Sequence, residues 1–184
     1  MPDRADITVA PRFTRAVHIR RDFRDLRYRL TGYQVTPLVR QAAGRIVAGV
    51  VSNSGERAFS VVGPFGSGKS AFGLFVAHFL QRSEKSRRQL LSSLKVEDAA
   101  AVLPLDAPSL LAVLVPGNNS ALPYAVLASL DDALDDQRLR TPELDQLRLK
   151  IDAAASDPQL DPVRVADLVE EAARHLRAQG RYQG

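Results

Sequence analysis

The stretch Gly63-Pro64-Phe65-Gly66-Ser67-Gly68-Lys69-Ser70 restricts this chain more than any other, because its fixed positions do work that few other residues can do. It has the form of a Walker A phosphate loop: a glycine, four residues, then Gly-Lys-Ser. Gly66 and Gly68 have no Cβ and can take positive φ, so the backbone can turn its amide N–H groups inward around an anion. Lys69 is expected to set its ammonium against the β- and γ-phosphates. The Ser70 hydroxyl is the expected ligand of a Mg²⁺ ion that keeps several waters, and a helix starting there points its positive end at the phosphates. Gly63 opens the loop, while Pro64, Phe65 and Ser67 contribute mainly backbone.

The flanks have the order that such a loop requires. Residues 58–62 form a short, largely apolar run that predicts a buried parallel strand, and 71–80 are apolar for long enough to predict a helix. Residues 110–115 predict a second strand, stopped by Pro116-Gly117-Asn118-Asn119. Thr36-Pro37 marks a helix start, with threonine as N-cap and proline at the first helical position. The helix should run to about Val51, with Leu38, Ala42, Ile46 and Val50 or Val47 on one face. Residues 81–95 predict a polar, basic helical continuation, and three further helices are expected near 123–136, 142–155 and 162–179, each with a proline near its start. Together these elements predict an α/β fold, a P-loop NTPase-type parallel sheet with flanking helices, incomplete at its acidic edge. Residues 1–30 divide off as a basic arm in which Ala16-Val17-His18-Ile19 suits a short edge strand, and 31–184 form the nucleotide-binding domain.

Composition narrows the setting. With 184 residues, 45% hydrophobic and 25% charged, the chain has room for one domain and a sizeable core. Its lack of cysteine excludes disulfides and thiolate metal sites. The start does not resemble a signal peptide, and the longest apolar region, 99–115, is broken by Pro104, Asp106 and Pro108 and is too short to span a bilayer. No membrane association and a cytoplasmic location are expected. The net charge of +4 is unevenly spread: residues 1–126 carry 17 basic and 9 acidic side chains, and 127–184 carry 8 and 12. Arg12, Arg15, Arg20, Arg21, Arg24, Arg27 and Arg29, interleaved with Phe13, Phe23, Tyr28 and Tyr33, suit contact with nucleic acid. Alternating with Asp22 and Asp25, they equally suit a self-paired surface.

The histidines read as structural: His18 as a surface or strand residue, His78 as a packed core residue and His175 as a partner of a helix dipole. Asp131, Asp132, Asp135 and Asp136 read as a solvated face. What a nucleotide hydrolase needs beyond the phosphate cradle is an apolar strand ending in a carboxylate, to hold the metal and polarise water. Residues 110–115 end in proline instead, and the strand candidate leading to Asp106 contains Pro104. The expectation is an acidic strand beyond Gly184 in a larger parent chain, a homo-oligomer being the other arrangement considered. ATP binding with Mg²⁺, without efficient hydrolysis by this chain alone, is thus the leading functional expectation. GTP is disfavoured by the absence of an Asn-Lys-x-Asp sequence. A small P-loop kinase with Arg138 and Arg140 in a lid, and a nucleic-acid-binding module using the amino-terminal arginines, are the alternatives.

Thr31-Gly32-Tyr33-Gln34-Val35-Thr36-Pro37, the helix after it, the phosphate loop with Ala71-Phe72, and Leu111-Ala112-Val113-Leu114-Val115 together resemble the start of large bacterial AAA/STAND-like P-loop ATPases, some of which are encoded in phage-defence loci. The resemblance implies ATP and Mg²⁺, hydrolysis coupled to conformational change, and an acidic strand soon after the last residue. A helix that delivers the chain to the loop strand through a polar turn also suits a Gly32-Tyr33-Gln34-Val35 segment packed near the adenine, although a core or surface aromatic is the stronger reading of Tyr33.

Overall fold

The computed structural model describes residues 16–25, 30, 32–52, 56–96, 103–117, 120–136 and 141–180. Among them are seven helices: α1 (Ile19–Arg24), α2 (Pro37–Val51), α3 (Lys69–Gln81), α4 (Glu84–Ser93), α5 (Leu122–Asp136), α6 (Pro142–Ala155) and α7 (Pro162–Ala178). Three of them start by the same device. Thr36, Thr141 and Asp161 each stand before a proline, and each side chain accepts from the backbone N–H three residues on, at 3.3, 3.3 and 2.9 Å. Proline at the first helical position forfeits an N–H that had no helical partner, and the cap satisfies another. The expected polar continuation after α3 is a separate helix, because the chain turns extended at Arg82 and Ser83 before α4 begins.

The predicted parallel sheet is not present. The described residues contain no strand, and the fold is all-helical. Residues 58–62 and 110–115 lie outside helices, as an extended run should, but a strand exists only through a partner about 4.8 Å away. Here the two runs border a groove of about 460 Å³, with Phe59 and Val61 on one side and Leu110 to Leu114 on the other, and α3 residues Phe72, Gly73 and Val76 also lining it. They are thus set beside α3 and not hydrogen-bonded to each other. The first run also stays open to solvent: Val61 is 48% and Val62 90% exposed, where a central strand would be covered on both faces. The amino-terminal edge strand is likewise replaced: Ile19 opens α1, and the His18 Nδ1 accepts from the Arg21 N–H at 3.3 Å, so His18 caps a helix. Residues 1–15, with Arg12, Phe13 and Arg15, and also Arg27, Tyr28, Arg29, Arg138 and Arg140, lie outside the described residues.

Two apolar cores hold the helices. The first gathers Val47 of α2, Leu74, Phe75 and Phe79 of α3, Leu90 and Leu91 of α4, and Leu103, Leu105 and Ala107 of the following loop. Arg87 of α4 lies in it, fully buried. Its guanidinium donates to the carbonyl oxygens of Phe79 (2.8 Å), Leu80 (3.1 Å), Leu105 (2.9 Å), Pro108 (3.0 Å) and Ala107, so one side chain ends α3 and fixes the 103–108 loop. Burial lowers its pKa, and Asp106 and Glu84 oppose that shift. The second core is built by α5, α6 and α7 around Leu127, Leu130, Leu147, Ile151 and Leu168, with Leu111 and Val113 packed against it. Helix α1 joins the two: Phe23 stacks on His78 of α3 with ring centroids 4.4 Å apart, while Arg24 Nε bonds Asp136 at 2.6 Å and Arg20 pairs with Asp132. No described helix is long and apolar enough to cross a membrane.

Candidate functional site

The loop expected to hold phosphate, residues 63–70, lies at the amino terminus of α3. Gly66 and Gly68 have φ of +80° and +84°, and a Cβ added to either would meet nothing within 4 Å. Glycine is needed there for backbone conformation and not for room. Gly63 differs, since a Cβ on it would stand 2.9 Å from the Ser67 hydroxyl. Gly68 is the N-cap of α3 and no side chain caps this end, unlike α2, α6 and α7, so the first amides of α3 face outward with the helix dipole behind them. Pro64 to Gly68 are exposed, Phe65 completely. Lys69 folds back on the loop, its Nζ donating to the Gly63 oxygen at 2.8 Å and the Pro64 oxygen at 2.7 Å. Ser70 is exposed in the first turn of α3.

This loop is one end of a cleft of about 870 Å³. Thr36, Leu38, Gln41, Ala42, Arg45 and Ile46 form the α2 wall, Phe59 to Pro64 the facing wall, and Tyr33 and Gln34 line it as well. The expected apolar stripe of α2 therefore divides: Val47 is buried in the core, Ala42 and Ile46 pack on the core's edge at the cleft, and Leu38 is 74% exposed. Tyr33 serves two surfaces at once, lining the cleft while its ring packs 5.5 Å from that of Phe75. Val35 packs against the core and does not line the cleft.

The walls converge because of Gly49. A Cβ there would fall 2.2 Å from the Glu56 oxygen and 2.7 Å from the Phe59 ring, so glycine alone lets the 56–59 segment lie directly on α2. Among the described residues the cleft lining includes two cations, Arg45 and Lys69, and no carboxylate. Glu56 bonds Arg45 from outside the lining. Asp106 is exposed in the 103–108 loop and does not line the cleft.

The other carboxylates singled out in the sequence are engaged between helices. Arg148 bonds Asp131 at 2.6 Å and Asp135 at 2.9 Å, which raises the pKa of its guanidinium; Asp132 and Asp136 receive the arginines of α1. They form an interhelical pairing seam where a solvated face was expected. No group of three or more histidine and acidic side chains among the described residues is placed to hold a metal ion. His78 is neutral at pH 7, its pKa lowered to about 4 by burial and by Arg82, and its Nε2 has no hydrogen-bond partner. His175 lies near the end of α7, 3.8 Å from Glu171.

Sequence reasoning missed Arg45, Gln41 and Arg87. Gln41 and Arg45 stand three and seven residues after Leu38, on the edge of the stripe already identified, so helical spacing was the available signal. No family model, curated protein or solved structure matches the chain.

Proposed function

We propose that the chain binds a nucleoside triphosphate, ATP with Mg²⁺, with its phosphates on the Gly63–Ser70 loop and its nucleoside along the α2 wall. The observation that carries this reading is the conjunction at one end of the cleft: two glycines in positive φ, an uncapped helix start and the Lys69 ammonium, in a lining with cations and no carboxylate. Every one of these features favours an anion. On binding, Lys69 exchanges two carbonyl acceptors for phosphate oxygens. The Ser70 hydroxyl and the phosphates are the groups that would hold Mg²⁺, whose contribution would be to neutralise phosphate charge.

The reading is of a binding module. The cleft lining among the described residues includes no acidic side chain that would position an attacking water, so the proposal is for binding and not for hydrolysis. The proposal rests on the loop and the cleft, not on the family resemblance, whose sheet the described residues do not form. A nucleic-acid role for the described arginines of α1 has less support, since Arg20, Arg21 and Arg24 are each bonded to a carboxylate. Calorimetric titration with Mg-ATP and Mg-GTP tests the proposal. Wild type should bind and Lys69→Ala should lose at least about ten-fold in affinity; absence of heat with the wild-type chain would sink it.

A further inference from the structure

The phosphate loop accounts for one end of the cleft and leaves Arg45 unexplained. This side chain reaches the cleft from α2, 71% exposed, and its guanidinium meets Glu56 (59% exposed) only at 3.3 to 3.4 Å. Exposed pairs of this kind hold weakly and exchange partners readily. Arg45 and Lys69 also occupy different stations. The Lys69 Nζ donates to the Gly63 and Pro64 carbonyls, whereas Arg45 rests against Glu56, whose backbone lies on α2 at Gly49. The lining they share also includes the apolar side chains of Ala42, Ile46, Phe59 and Val61. Such a cleft matches a ligand that combines an anionic group, a flat apolar part and hydrogen-bond acceptors away from the anion.

We propose that Arg45 is the second recognition point of the cleft: it leaves Glu56 and donates to acceptor atoms on the purine ring of a nucleotide whose phosphates sit on the 63–70 loop. This rests on the nucleotide-binding reading above. The guanidinium presents N–H donors in one plane: one meets a ring nitrogen of adenine, two meet the N7 and O6 acceptors of guanine, and the methylene stem covers the apolar lining beside it. The planar, weakly hydrated guanidinium can lie along the apolar lining while it donates, which a strongly hydrated ammonium does not, so lysine at 45 does not replace it.

Calorimetry on the full chain with Mg-ATP, Mg-GTP and Mg-tripolyphosphate separates this proposal from the reading beneath it, using wild type, Arg45→Met, Arg45→Lys and Lys69→Ala, with thermal melts confirming that each variant is folded. Lys69→Ala should weaken all three ligands. Arg45→Met and Arg45→Lys should weaken both nucleotides by about five- to ten-fold and leave tripolyphosphate within about two-fold of wild type. Equal weakening of tripolyphosphate, recovery of nucleotide affinity by Arg45→Lys, or unchanged nucleotide binding by Arg45→Met would each overturn the role of Arg45 while leaving the nucleotide site standing. A wild-type chain that binds none of the three would remove both.

Discussion

Arg87 has five N–H groups and, in this fold, five carbonyl acceptors. The full satisfaction is what makes a buried, unpaired guanidinium tolerable: its charge is spread over carbonyl dipoles at the end of α3, where a cation is favoured, and over the 103–108 loop. Removing it leaves those carbonyls buried without donors, so Arg87→Met should cost about 3 kcal/mol in urea unfolding, and Arg87→Lys, with three donors, should recover less than half. The sequence could not show this, since an arginine four residues into a polar helix reads as solvated until the loop carbonyls are seen converging on it. His78 is the opposite case, a buried base kept neutral. Its folded pKa of about 4 lies below the unfolded value near 6.5, so the unfolded chain takes up the proton first as pH falls. The stability is intact above about pH 6.5 and declines toward pH 4, by about 2 kcal/mol after allowance for partial exposure. Thermal melts from pH 7 to pH 4 should show this decline in wild type and a flatter profile in His78→Phe, which keeps the stack on Phe23; equal slopes would count against it.

At the scale of elements, the contact between α2 and the 56–59 segment shapes the cleft, and it depends on one missing methyl group. Gly49→Ala must displace Glu56 or Phe59, which should cost about 2 kcal/mol of stability and weaken nucleotide binding together with it, whereas Ala48→Gly on the exposed side of α2 should lower stability by no more than about 1 kcal/mol and leave binding alone. Paired denaturation and titration of the two variants check this. Helices α2, α5, α6 and α7 were legible almost to the residue, because threonine or aspartate before proline, or an early proline alone, is a local signal that packing has no reason to override. The sheet was not legible. An apolar run of five or six residues specifies an extended chain, but hydrogen bonding to a neighbour is a tertiary event, and here 58–62 stays largely open to solvent while 110–115 is half-buried, both bordering one groove beside α3. The backbone of the 63–70 loop was legible at Gly66 and Gly68, whose positive φ is a requirement written in residue type.

For the whole molecule, the division into two cores decides what a distant mutation can do to the site. The cleft lining meets the core of α2, α3 and α4 through Tyr33, Val39, Ala42, Ile46 and Phe72 and includes no residue of the core that α5, α6 and α7 close. The links between them are the packing of Leu111 and Val113 and the ion pairs of α1 with α5, which are partly exposed and worth little each. Cooperative opening should therefore follow the cores, with local free energies that differ between the two. Leu147→Ala removes a fully buried side chain from the second core and should cost about 3 kcal/mol there, raising the hydrogen exchange of α6 and α7 amides while nucleotide affinity stays within about two-fold. Phe75→Ala opens a cavity in the first core, directly beneath Tyr33, and should cost about 4 kcal/mol, speed exchange in α2 and α3, and weaken nucleotide binding as the cleft wall loosens. Hydrogen exchange read by mass spectrometry, with and without Mg-ATP, distinguishes the outcomes: a uniform rise in exchange along all seven helices in either variant would mean that the two cores open as one unit and that α1 couples them more tightly than its exposed ion pairs imply.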